Sequence, residues 1–335
     1  MKKISLIILV ISLFTFTSTY GQIKDFRNYQ EIINNAEMNI IAGNNLQALN
    51  IYYNLLTKSD GNFSKDLYNS LILAKELNKL DTLFNLLELV KQKNFNNEYL
   101  IGLTEFSDLH SNPKWQEFIN SNNSIIYIDT ALRSKSDQLY VRDQFFRQKE
   151  GSYKVYRDTI NKIHSINMSY LLTLISKNGL PGEKEIGAQD FSGWQGYDIV
   201  LHHNTQGRAK NKELTNLIPI LIDQAIAGRI EPNKCSHYLE MQNEEFKAGV
   251  FDIYRVSFGE KYSKILAPVY TEENKLLINA NRKLMCLEPI EDYYKKVKYI
   301  TSHKDNKFKF DVILNTFEMT NETDFINFQK GRIEL

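Results

Sequence analysis

The chain has 335 residues, 42% hydrophobic and 24% charged, which is enough apolar side chain to bury a core and excludes an intrinsically disordered protein. Its formal net charge of +1 gives no overall drive toward nucleic acid, whose phosphates reward a strongly basic surface. Six prolines and fifteen glycines are few for this length and favour helix, and the length allows two domains.

The chain opens "MKKISLIILVISLFTFTSTYG". Lys2 and Lys3 precede an apolar run from Ile4 to Phe16, and Thr19 and Gly21 are small residues at −3 and −1 of a cut before Gln22. That is the layout of a secretory signal peptide, and the run is shorter than the about 20 residues a membrane span needs. Residues 1–21 are therefore read as a signal peptide. The mature chain is expected to be periplasmic or secreted after cleavage near Gly21, without an integral membrane span. No cysteine lies near the cut, which argues against a lipoprotein anchor.

Residues 25–125 read as helix pairs. "AEMNIIAGNNLQALNIYYNLL" places Ala36 and Ile40 on one helix, Gly43 and Asn44 at a turn, and Ala48, Leu49, Tyr52 and Leu56 on the next. In the following unit Ser64 is placed to cap a helix carrying Leu67, Leu71 and Ala74, and Asp81 a helix carrying Phe84, Leu87 and Val90. Ala36 and Ala74 are one helical-hairpin period apart. These residues give the segment a degenerate resemblance to tetratricopeptide repeats, which implies a groove for a protein or peptide partner. A third pair around "EYLIGLTEF" and "PKWQEFINS" closes the stack, with Trp115 and Phe118 in its core.

"IIYI" (125–128) is a short β-rich junction. A second helical domain follows over 135–299. "SDQLYVRDQFFRQK" and "TINKIHSINMSYLLTLISKNG" are two of its helices, the latter stopped by Gly179 and Pro181. "KELTNLIPILIDQAIAG" is a third, kinked at Pro219 and ended by Gly228, and "NKCSHYLEMQNEEFKAG" a fourth, ended by Gly249. "VFDIYRVSF" and "NKFKFDVILNTF" alternate as strands and are a candidate pair. "NRKLMCLEPIEDYYKKVKYI" is helical around a start at Pro289, and residues 300–335 form a C-terminal extension without a motif. The expected fold is mainly α: helical hairpins, then an α-helical domain with a small β element near the C-terminus.

From about Leu139 to Tyr299 the chain resembles an uncharacterised bacterial family found in exported proteins. Asp143, Gln144 and Arg147 match its Asp-Gln-x-x-Arg; Asn167, Gly179 and Pro181 match an Asn-bearing helix leading to Gly-Trp-Pro, with Leu180 replacing Trp. Gly187 matches a later glycine, and His202, His203, Asn204, Thr205 stand where the family reads Gln-His-Ala-Asp. Arg282, Cys286, Leu287 and Pro289 match Arg-x-x-x-Gly-Leu-x-Pro, with Cys for Gly. The chain departs from the pattern at Met241-Gln242, where the family has Asp-Arg, and over Asp252–Ser257, where it has Gln-x-Tyr-Gly-Thr-Gln. The resemblance implies an address for a site and no particular reaction.

The chemistry concentrates in "GLPGEKEIGAQDFSGWQGYDIVLHHN" (179–204). "GLPGEK" is not a phosphate loop, since the lysine follows no glycine and no Ser or Thr follows it. A helix from about Gly187 would align Ala188, Ser192, Gly196, Ile199 and His203 on one small-residue face and point His203 inward. His202 would fall on another face, one turn from Asp198 and within hydrogen-bond reach of it. Adjacent histidines project about 100° apart and do not share a metal readily; partners such as His164, His237, Asp143 or Glu240 would have to come from elsewhere, and neither a metal nor a cofactor is expected. "FSGWQG" is no nucleophile elbow. Cys235 and Cys286 would pair in an oxidising compartment or serve as buried thiols, and without CxxC they make no zinc site.

The candidate polar pocket comprises Asp143, Arg147, Asn167, His203 and Tyr254, with Asp198 and His202 as secondary candidates. Two readings stand: an exported helical module that binds a protein or peptide through its hairpins, or a hydrolase-like or small-ligand-binding domain built around His203.

Overall fold

The computed structural model describes residues 26–335 other than 60, 122–127, 207–214, 244–245, 251, 259–261 and 304. The leader and all but Ile128 of the β-rich junction lie outside the described residues. The rest is mainly helical, with one small sheet near the C-terminus. None of its helices is long and apolar enough to cross a membrane.

Two hairpins come first: α1 (Arg27–Ile41) with α2 (Asn45–Leu56), and α3 (Ser64–Glu76) with α4 (Leu80–Gln92). The apolar positions spaced at three and four are the ones that pack: Ala36, Ile40, Ala48, Leu49, Tyr52 and Leu56 are all sealed. The turn between α1 and α2 is left-handed at Gly43 (φ 77°), and Asn78 (φ 53°) and Asn94 (φ 56°) take that conformation after α3 and α4, a role asparagine tolerates better than other side chains. Neither predicted cap forms: α3 starts on Ser64 itself and α4 on Leu80. α5 (Asn97–Gly102), a 3₁₀ turn over Thr104–Leu109 and α6 (Pro113–Asn120) close the stack, with Trp115 and Phe118 buried beneath it.

α3 departs from the pattern of a surface helix. Every residue from Ser64 to Ala74 is buried, including Lys65, Asp66 and Asn69. The neighbouring hairpin helices account for only part of this. The remaining face is covered by segments from far along the chain, around Glu183 and residues 306–313.

The second block begins with the long pair α7 (Thr130–Arg147) and α8 (Ser152–Asn178), the latter ended by Gly179 at φ 78° as its sequence predicts. A single turn α9 (Glu183–Ile186) precedes α10 (Asp198–Gln206), α11 (Ile218–Ile226) and α12 (Pro232–Gln242). Two expectations are corrected here. Pro219 does not kink α11 but sits in its first turn, where its missing N–H costs nothing. α12 stops at Gln242, well before Gly249.

β1 (Tyr254–Phe258) and β2 (Tyr262–Pro268) form an antiparallel pair, followed by α13 (Glu272–Leu284) and α14 (Ile290–Ser302). β3 (Asn315–Met319), α15 (Glu322–Gln329) and β4 (Arg332–Glu334) complete a sheet of order β3-β1-β2-β4. The two predicted strand segments do pair, in parallel, Tyr254 opposite Asn315 through Phe258 opposite Met319. Only the end of the second segment is strand; residues 306–314 take no regular structure, with a tight turn closed by Val312 N on Phe310 O. Cys235 and Cys286 are both buried. Cys286 holds a left-handed backbone (φ 63°) just after α13, the position where glycine is usual.

Candidate functional site

The segment expected to be a helix from Gly187 is a loop up to Asp198, and this corrects the small-residue stripe. Gly187 (φ 72°) and Gly193 (φ 65°) adopt left-handed backbone that ends any helix. Asp190 Oδ1 accepts from Ser192 N at 2.6 Å and Ser192 Oγ from Trp194 N at 3.2 Å, the local turns that Asp and Ser favour over helix. The glycines permit close approach rather than helix packing. A Cβ on Gly187 would lie 2.2 Å from Lys93 O, and one on Gly196 2.3 Å from Ser136 O. The loop is thereby pressed between the hairpins and α7. Phe191 is sealed against Tyr68, Phe95 and Tyr99. Just upstream, Glu183 accepts from Ser64 N at 2.7 Å and Ser64 Oγ at 2.9 Å. Its carboxylate thus lies on the positive end of α3.

Asp143, Gln144 and Arg147 act as one unit. Gln144 Nε2 and Arg147 Nε each donate to Asp143 Oδ2 at 2.9 Å, and His203 Nδ1 lies 2.9 Å from the same oxygen. Arg147 Nη1 also donates to Tyr153 Oη at 2.6 Å. Burial alone would raise Asp143, but His203 and Arg147 hold its carboxyl below its ordinary value. α10 thus leans on α7 through this pair and sets the rotation of the helix that also carries His202.

That rotation directs Asp198 and His202 into a cavity of 490 Å³ between α10, α12 and residues 310–313. Asp198 makes no bond to His202. It accepts from Gln195 N at 2.8 Å, Tyr238 Oη at 3.2 Å and Lys234 Nζ at 3.3 Å. α12 supplies Lys234, His237 and Tyr238, the loop supplies Trp194, and residues 310–313 form the opposite wall. His202 and His237 stack at 6.2 Å and 11°. Burial lowers both imidazoles, His237 to about 4, so both are neutral near pH 7. Glu231 is pushed up to about 8 by burial against the pull of Lys234, 3.7 Å away. The Oε1 atom of Glu231 and the Oδ1 atom of Asn233 are buried in this wall without a hydrogen-bond partner. Such atoms are rare in folded proteins and costly to leave unmade.

The structure therefore brings together Asp143, Arg147 and His203, and places Asp198 and His202 on the adjoining cavity. Asn167 is one step away: fully buried, it donates to Leu139 O at 3.3 Å and borders a separate apolar hollow with Phe145 and Ile166. Tyr254 does not join them. It lies on β1 against Phe328 and Arg332. Lys234, Glu231 and Asn233 were not foreseen, because a lysine and a glutamate three apart on a helix read as a surface pair. Among the described residues no three His, Cys, Asp or Glu side chains group as metal ligands do. No protein family, curated protein or solved structure matches the chain.

Proposed function

We propose that the second block binds a small polar organic ligand in the cavity between α10, α12 and residues 310–313. The observation that carries this is the buried Glu231 Oε1, without a hydrogen-bond partner, in the wall of a cavity that also receives Lys234, His202, His237 and Trp194. The volume of 490 Å³ falls within the roughly 300–1,000 Å³ of sites for small molecules, and a few convergent polar groups beside an aromatic ring are what such sites use for orientation. A carboxyl held protonated, an ammonium and two neutral imidazoles offer donors and acceptors to a ligand the size of a sugar or amino acid. The Asp143–Gln144–Arg147 unit supports the same reading, because it fixes the helix that carries His202. Export after cleavage near Gly21 goes with this proposal on the composition of the leader.

The test is native mass spectrometry and thermal shift of the full chain against a panel of sugars, amino acids and nucleosides. Binding of at least one member should be lost in Lys234→Met and in His202→Ala while both variants remain folded. If no member binds, or if binding survives both changes, the proposal fails.

A further inference from the structure

The inner face of α3 holds the chain's own residues 307–311 as a strap. Asn69, fully buried, takes both main-chain groups of Lys309: its Nδ2 donates to Lys309 O at 2.9 Å and its Oδ1 accepts from Lys309 N at 2.8 Å. This is the pairing a neighbouring strand would make, and it ignores the side chain between. The flanking residues supply the selectivity. Phe308 and Phe310, alternate residues of an extended chain, are both buried in the hairpin core, with rings 6.3 Å apart and nearly parallel at 8°. Asp311 places its carboxylate 2.8 Å from Lys65 Nζ, and its carbonyl accepts from Asn233 Nδ2 at 2.9 Å. The Lys309 ammonium lies 4.6 Å above the ring of Tyr68. Lys65 and Asn69 are buried polar side chains that also meet Glu37, Asp66 and Tyr52 of the hairpins, and their remaining polar contacts go to this segment.

We infer that this face is a recognition groove for an extended Phe-x-Phe-Asp segment, loaded here by residues 308–311 and open to the same motif from a partner protein once the strap is weakened. The strap competes as a tethered ligand, at an effective concentration of order millimolar, so a free peptide meets a largely filled groove. The strap shares Phe310 and Asp311 with the wall of the ligand cavity, but its test reads peptide directly and not the cavity ligand.

A fluorescent peptide with the sequence of residues 306–313 is titrated against the full chain and against the full chain carrying Phe308→Ser and Phe310→Ser. The doubly substituted chain should bind at least tenfold more tightly than the natural one, and adding Asn69→Ala should remove most of that affinity. A peptide with both phenylalanines replaced by serine should not bind. If the folded double variant ignores the peptide, or takes native and scrambled peptides alike, the inference is overturned. A variant that fails to fold leaves the measurement on the natural chain. There, hydrogen exchange at the Lys309 amide should accelerate at least tenfold in excess peptide, and unchanged protection overturns the inference. Concentration-dependent dimerisation without peptide binding also overturns it, in favour of strap exchange between copies.

Discussion

Glu37 on α1 and Lys296 on α14 meet at 2.5 Å, both almost sealed from water, across the joint between the hairpins and the second block. The other oxygen of Glu37 lies 3.3 Å from Lys65 Nζ, and Lys296 also reaches Glu288 at 3.0 Å. One carboxylate thus serves two buried ammonium groups drawn from distant parts of the chain. Glu37→Gln removes the carboxylate the two share, but Lys65 keeps Asp311 and Lys296 keeps Glu288, so the cost should be that of a charged hydrogen bond, about 1.5–3 kcal/mol. Urea unfolding of the variant should show a loss in that range. A loss under about 1 kcal/mol would mean that water screens the joint.

Stability should fall as pH rises through neutrality, and Glu231 is the chief reason. Its carboxyl goes from an ordinary 4.5 to about 8 on burial, so the folded chain keeps a proton that the unfolded chain releases. Where the folded state binds more protons, stability decreases with pH. The contribution is complete below about 4.5 and is lost by about 8. Asp66, raised by burial to about 6, has the same sign in a lower window. Glu231→Gln carries no titrating proton, so its melting temperature should fall by at least about 2 °C less than that of the natural chain between pH 6 and 8. Parallel melting curves for the two proteins would contradict this assignment.

The cavity histidines act in the opposite sense. His237 is lowered by burial to about 4, so between that pH and 6.5 the unfolded chain takes up a proton that the folded chain refuses. This part of the stability is present above 6.5 and is lost as pH falls toward 4. Imidazole NMR titration should find His237 neutral at pH 5.5. A midpoint above about 6, in the ordinary range for histidine, would show that the cavity is wetter than its walls imply.

Two glycines at positive φ differ in what surrounds them. Gly43 (φ 77°) has open space where a Cβ would stand, whereas a Cβ on Gly187 (φ 72°) would lie 2.2 Å from Lys93 O. Gly43→Ala should cost only the left-handed backbone, about 1 kcal/mol. Gly187→Ala must in addition push two main chains apart, which should bring the loss to about 3 kcal/mol or more. Chemical denaturation of both variants decides it; equal losses would mean that the loop yields freely.

The elements legible in the sequence are those whose burial follows a single period. Ala36, Ile40, Ala48, Leu49, Tyr52 and the stop at Gly179 could be placed because helix geometry alone puts them where they are. The grouping of Asp143 with Arg147 was equally visible, one turn apart. The loop at 187–197 was missed because small residues spaced four apart fit a close-packed helix as well as a tight loop; three glycines in eleven positions were the better signal. Phe308 and Phe310 alternate as a strand would, yet their partner is a helix face, and nothing local in "KFKFD" announces Asn69 some 240 positions earlier. No periodicity linked Tyr254 to the histidines, and it lies on β1 against Phe328 and Arg332.

The burial of α3 has a consequence for the order in which this molecule can be made. Lys65, Asp66 and Asn69 leave the ribosome early, but the residues that seal them, Glu183 and 306–313, follow by more than a hundred positions in the nearer case and some 240 in the farther. During synthesis the hairpins must therefore wait with a wet polar face, holding their fold on the apolar side alone. A polypeptide released before residue 306 would keep that face uncovered, and the first half of the chain reaches its final form only when nearly all of the second has been translated.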